Sequence, residues 1–183
     1  MEYFDICDEE GMPTGEIVER SVAHSEGIRH RTAHVWILRE EQGRTQVLLQ
    51  KRSANKDSYP GMYDTSSAGH IPAGMEPLES AIRELGEELG IHAHKEQLEY
   101  IGKFRVQYEE EFYGEPFRDN EVIRVYVYRE PVDPRKLVLQ EEEVEEVRFF
   151  DVAEVYEEVQ KGSDEICVNP VGMKVLVDYL AGR

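Results

Sequence analysis

Positive charge is what this chain has least of: 21 Lys and Arg stand against 39 Asp and Glu, a formal net charge of −18 over 183 residues. Such a field repels nucleic-acid polymers and anionic membrane surfaces, and an anionic substrate needs a cation or a local basic patch to enter. Cysteine is nearly absent. Cys7 and Cys167 have neither zinc-site nor disulfide-framework spacing, a usage that fits a reducing, cytoplasmic compartment. No run of about 18 apolar residues exists, which excludes a helical membrane span. The acidic start MEYFDICDEEGMPTGE has neither the basic region nor the apolar run of a signal peptide. Repeats and low-complexity linkers are missing too. The length suits one domain over residues 1–183, with 1–28 as an N-terminal hairpin extension and 29–183 as the core.

What is present is acid, and its most informative arrangement lies between Gly69 and Ile91. Pro77 suits a first helical position and Gly90 a left-handed stop. Between them Leu78, Ala81, Ile82, Leu85 and Leu89 recur at spacings of three and four, an apolar stripe that faces a core. At about 100° per residue, Glu84, Glu87 and Glu88 share one ridge away from the stripe. Like charges so placed repel, so the ridge is either freely solvated, the commoner case, or neutralised by a cation. A glycine loop before the helix and Arg83 beside the acids favour the cation. Oxygen-only ligands suit Mg²⁺ or Mn²⁺.

Around this helix the pattern alternates. Tyr3 to Cys7 and Glu16 to Glu19 flank a turn of Asp8, Gly11, Pro13 and Gly15, which predicts a hairpin capping the domain. Ala33 to Leu38 and Val47 to Leu49 predict paired core strands joined by the turn EEQG. Ser53 to Thr65 reads as a loop. Leu98 to Val106 and Val122 to Tyr128, the latter alternating as VIRVYVY, predict strands that enclose an acidic loop. Val147 to Phe150 predicts a short strand, Val152 to Gln160 a helix ended by Gly162, and Val171 to Leu180 a last helix. The run EEEVEE at 141 to 146 is expected to be a solvated loop. Together these predict an α/β fold, a mixed β-sheet sandwiched between helices.

The segment Gly69 to Ile91 resembles the 23-residue box of the Nudix hydrolases: Gly, five residues, Glu, seven residues, then Arg-Glu-apolar-any-Glu-Glu-any-Gly-apolar. Gly69, Arg83, Glu84, Leu85, Glu87, Glu88, Gly90 and Ile91 fall in place, so eight of nine specified positions match. A pattern of that length and fixed spacing is highly specific. The exception is Met75, where the family's first glutamate would brace the box arginine; Glu79, four residues before Arg83, or Glu76 is the expected replacement. The resemblance implies the Nudix fold and metal-dependent cleavage of a diphosphate linked to another moiety. It implies Mg²⁺ held by Glu84, Glu87, Glu88 and the Gly69 carbonyl, with Arg83 beside them and Glu121 as a ligand from outside the box. Glu84, Glu87 and Glu121 are the candidate general bases.

Outside the box, residues 23 to 128 resemble more loosely the isopentenyl-diphosphate isomerase-like branch. His30 opens a strand in RHRTAH, Arg52 and Lys56 precede Pro60-Gly61, and Asp119 and Glu121 precede a strand in RDNEV. The isomerases carry a cysteine directly before the Gly-His of this loop; here Ala68 stands there, and a methyl group cannot transfer a proton. Hydrolysis is therefore expected over isomerisation, with a non-catalytic diphosphate-binding module and a purely structural acidic domain as rivals. Lys51, Arg52 and Lys56 are expected to form the basic patch for substrate, with His70 beside them. For His24, His30 and His70 a second metal site competes with ordinary backbone or solvent hydrogen bonding, and the latter is expected. Trp36 is expected in the core, and Tyr63 over a substrate ring or covering the site. The expected partner is a small-molecule diphosphate, and a homodimer through an exposed strand edge is the expected assembly.

Overall fold

A computed structural model describes residues 1–183. The chain runs β1 (Tyr3–Cys7), β2 (Pro13–Glu19), α1 (Arg20–Glu26), β3 (His30–Glu41), β4 (Arg44–Arg52), β5 (Tyr63–Asp64), β6 (Ser67–His70), α2 (Pro77–Leu89), β7 (Leu98–Phe112), β8 (Glu115–Tyr128), β9 (Val144–Asp151), α3 (Val152–Lys161) and α4 (Pro170–Ala181). β1 and β2 form a two-stranded antiparallel sheet, the hairpin expected at the N-terminus. The other seven strands form one mixed sheet in the order β5-β4-β3-β8-β7, with β6 also on β3 and β9 on β4.

β3 is the axis of this sheet because it is apolar on both faces, as a strand covered from two sides must be. Ala33, Val35 and Ile37 point to one layer, where they meet Ala81, Leu85 and Leu89 of α2. Trp36 and Leu38 point to the other, against Val155 and Val159 of α3 and Met173 and Leu176 of α4. Trp36 is thus in the core. The β3–β4 turn places Gln42 and Gly43 at φ 51° and 76°, the two left-handed residues that a tight hairpin matching strand twist requires. The α/β sandwich read from the sequence is the observed architecture.

α2 begins at Pro77 and closes on Gly90, whose φ of 69° lets its amide reach the Gly86 carbonyl at 3.1 Å. Its stripe anchors it. Ala81, Leu85 and Leu89 are fully buried, and each leucine contributes about 1.5–3 kcal/mol by leaving water.

Two expectations need correction. Residues 107 to 121 are not a loop: β7 and β8 continue as a long hairpin that turns at Tyr113-Gly114. Glu109, Glu110 and Glu111 lie on exposed positions of the outer strand β7, where solvated charge costs little, and Phe112 and Phe117 meet between the two strands. Likewise only the start of EEEVEE turns; from Val144 the chain is β9, registered against β4.

Candidate active site

At one end of the sheet a cleft of about 550 Å³ opens, lined from α1, β3, β6, α2, β7, β8, the loop after β4 and the segment before α4. Its first wall is the helix α2 and the strand β6. Gly69 lacks a side chain for a reason visible here: a Cβ would overlap the Glu84 carboxylate, which occupies that volume. Glu88 turns inward, buried, and accepts from the Ala68 amide at 3.3 Å with Gln50 Nε2 at 3.5 Å. Glu87 stays at the rim, exposed. The three acids therefore share a helix face but not an environment.

Burial pushes Glu84 up to about 7, against the pull of Arg83 and with the repulsion of Glu87. Burial and then the Glu84 charge push Glu88 up to about 8, despite the Ala68 amide. Carboxylates this deep and this close are stabilised in the charged form by a cation, and an all-oxygen set of this kind fits Mg²⁺ or Mn²⁺. Arg83 lies 2.5 Å from Glu84 and 3.2 Å from Glu87. The bracing expected from Glu79 does not occur, because Glu79 faces away and pairs with Lys95 at 3.0 Å.

The second wall gathers the histidines. Ligand atoms of His24, His30 and His70 lie within 4.8 Å of one another, as do those of His30, Asp119 and Glu121. The parallel pairing of β3 with β8 sets His30 directly beside Glu121, β6 brings His70, and α1 brings His24. His24 Nε2 is 3.2 Å from His70 Nε2, and Glu121 is 3.3 Å from His70 and 3.5 Å from His30. Thr32 donates to Glu121 at 3.2 Å. Yet His24 Nδ1, His30 Nε2 and Asp119 Oδ1 are buried with no hydrogen-bond partner. Ordinary hydrogen bonding, the expectation for these histidines, leaves these atoms orphaned, and a mixed nitrogen and oxygen set of this kind fits a divalent metal. Burial, then its two histidine neighbours, drives His24 down to about 3. Burial raises Asp119 to about 7, with the charge of Glu121 adding to it. For Glu121 burial acts upward, but His30 and His70 outweigh it and hold the carboxyl well below its usual range.

The remaining predicted residues divide. Arg52 lines the cleft, paired with Asp64 at 3.0 Å, and Lys56 lines it, paired with Glu143. Lys51 does not: one residue earlier on β4, it faces the other way and pairs with Glu145 at 2.9 Å. Tyr63 is in the core, its hydroxyl on Glu146, and neither covers nor lines the cleft. Glu121 stands with the histidines.

Arg20 and His34 also line the cleft, beyond the residues expected from the sequence. Arg20 stands at the mouth, 3.0 Å from Glu2 and 3.8 Å from Asp57. No local pattern marks it. His34 was within reach, since period-two alternation along β3 puts it on the face of His30 and Thr32, opposite Ala68 on β6.

Comparison with known proteins agrees with this geometry. The NUDIX domain family model matches residues 28–167. The chain is 40% identical over 151 residues to Nudix hydrolase 3 of Arabidopsis thaliana, covering 81% of this chain and 19% of that protein. It is 39% identical over 143 residues to an uncharacterized Nudix hydrolase of Clostridium acetobutylicum, covering 78% of this chain and 66% of the relative. The match thus spans less than two thirds of either relative. An isopentenyl-diphosphate Delta-isomerase of Cereibacter sphaeroides is 32% identical over 144 residues, 79% of this chain and 76% of the isomerase. Among solved structures, a Deinococcus radiodurans protein aligns with TM-score 0.69 at 16% identity over 96% of this chain and 98% of its own, which shows the fold. The NUDIX domain of Shewanella oneidensis NrtR, complexed with ADP ribose, aligns with TM-score 0.59 at 14% identity over 84% and 86%. With the box acids, the Gly69 cradle and the family match in agreement, the chain belongs to the Nudix hydrolase family.

Proposed function

We propose that the chain is a divalent-metal-dependent hydrolase of an organic diphosphate, a nucleoside diphosphate linked to another moiety or a related compound. The observation that carries this reading is the opening of two acid-rich clusters into one cleft, with Arg52 and Lys56 on the same cleft. Glu84, Glu87, Glu88 and the Gly69 carbonyl would hold Mg²⁺ or Mn²⁺, and His24, His30, His70, Asp119 and Glu121 would hold a second ion. Bound there, the metal supplies neutralising charge for the phosphates and a more acidic water.

The chain's own residues do the rest. Arg52 and Lys56, held by Asp64 and Glu143, bring positive charge to phosphate oxygens in a protein whose net field repels them. Arg83 holds Glu84 and Glu87 in place, and Glu84, Glu87 and Glu121 are the carboxylates that can accept a proton from water.

A second reading, isomerisation of an isoprenoid diphosphate, is favoured by the likeness to the isomerases. It is opposed by Ala68, whose methyl faces the cleft where those enzymes need a thiol. A panel of nucleoside diphosphate sugars, ADP-ribose, dinucleotides, oxidised nucleotides and isoprenoid diphosphates, assayed with Mg²⁺ and Mn²⁺, separates the two. Hydrolysis of at least one, abolished in Glu87→Gln and Glu88→Gln with the fold intact, is the expected result. Wild-type rates in both variants would sink the assignment.

A further inference from the structure

The loop from Ile71 to Glu76 joins the strand that carries Gly69 and His70 to the helix that carries the acids, and the first residues of the chain grip it. Asp5 Oδ2 accepts from Arg31 Nη2 at 2.6 Å and from the Gly74 amide at 2.9 Å. The same Arg31 nitrogen donates to the Met75 carbonyl at 3.2 Å. One residue away, the Ala73 amide donates to the Tyr3 carbonyl at 2.8 Å. Phe4, fully buried between these contacts, stacks on His70 and His30 with ring centroids 4.6 and 4.9 Å apart.

The grip falls at the place where the box is irregular. Met75 gives Arg83 no carboxylate, so the carboxylates Arg83 meets are Glu84 and Glu87, two members of the cluster itself. From the first half of α2, Ser80 Oγ and Arg83 Nη2 reach β6, both donating to the His70 carbonyl, at 3.3 and 3.5 Å, and neither holds the loop between the two elements. The Asp5–Arg31 pair holds that loop, since Arg31 leaves β3 beside β6 and reaches the last turn before Pro77. Both side chains are about nine-tenths buried, 7% and 11% exposed, so each depends on the other to offset the loss of water. The planar guanidinium can bridge a carboxylate and a carbonyl at once, which a lysine ammonium does less well.

We propose that Asp5 and Arg31 brace the box loop in place of the absent glutamate, as positioning residues for the oxygen cluster of Gly69, Glu84, Glu87 and Glu88. This rests on the reading of that cluster as a divalent-metal site. The N-terminal hairpin is then a working part of the site, and loss of its hold loosens the spacing between Gly69 and Glu84.

Mn²⁺ binding, followed by electron paramagnetic resonance together with melting temperature, tests this without any substrate. The ions lost in Glu87→Gln define the box site. In Asp5→Asn and in Arg31→Lys, which keeps the charge and guards against simple misfolding, box-site affinity is expected to fall about tenfold. Adding Met75→Glu to Asp5→Asn should restore at least half of that loss, a rescue that a purely structural role of Asp5 does not produce. Lower melting temperatures with box-site affinity unchanged within twofold, or no rescue, would overturn the proposal. A Glu87→Gln variant that loses no Mn²⁺ instead overturns the metal-site reading, and the brace falls with it.

Discussion

The two walls of the cleft are built in opposite ways. The acids of α2 come from five consecutive residues, Glu84 to Glu88, so one helical turn fixes their spacing. The histidine wall draws His24 from α1, His30 from β3, His70 from β6, and Asp119 and Glu121 from β8, elements that meet only when the sheet has its register. The first wall depends on local geometry and the second on global topology. The spacing of the acids along the chain is therefore set within one helix, and that of the second wall only by the assembled sheet.

That contrast can be broken by substitution. The largest expected effect is Glu88→Gln, which removes a buried carboxylate facing the cleft: turnover should fall about a thousandfold or more, the scale of losing a group that stabilises developing charge. The metal-free protein should melt at the same temperature or higher, because an amide is cheaper to bury than the carboxylate that burial pushes up to about 8. Steady-state kinetics and calorimetry check the two halves. Next is Gly69→Ala, whose methyl must displace the Glu84 carboxylate; a shift of that size should lower turnover about a hundredfold at little cost in stability.

His30→Gln strikes the other wall. His30 is fully buried, so this change should lower turnover about tenfold, remove one bound metal equivalent and cost about 2 kcal/mol, roughly 4–8 °C in melting temperature. Metal content and thermal melts read it. The smallest effect sharpens a negative: Lys51→Ala loses only an exposed pair with Glu145, so stability should move by less than about 0.5 kcal/mol and KM not at all.

The same contrast explains what could be read in advance. α2 was legible to the residue at Pro77 and Gly90, because caps and a 3.6-residue stripe are local signals. β3 was legible as an apolar core run, although the structure extends it to His30–Glu41. The inward turn of Glu88 was not, since it depends on Gln50 and the Ala68 amide from other strands. Lys51 and Arg52 looked equivalent as neighbours, and only the strand's alternation sends them to opposite sides. Residues 107 to 121 read as loop because glutamate is a poor strand former, a preference that the pairing of β7 with β8 overrides. The histidines were visible as residues. Their convergence was not, because no spacing along the chain encodes the parallel register of β3 and β8.

The central claim is that the oxygen cluster of α2 and β6 holds the cation on which diphosphate cleavage depends. Its most direct test is product release from the diphosphate panel with Mg²⁺, run side by side for the wild type, the wild type in EDTA, and Glu88→Gln. Turnover of at least one diphosphate by the wild type, absent in the other two, is expected. Cleavage that persists at the wild-type rate in EDTA or in Glu88→Gln would contradict it.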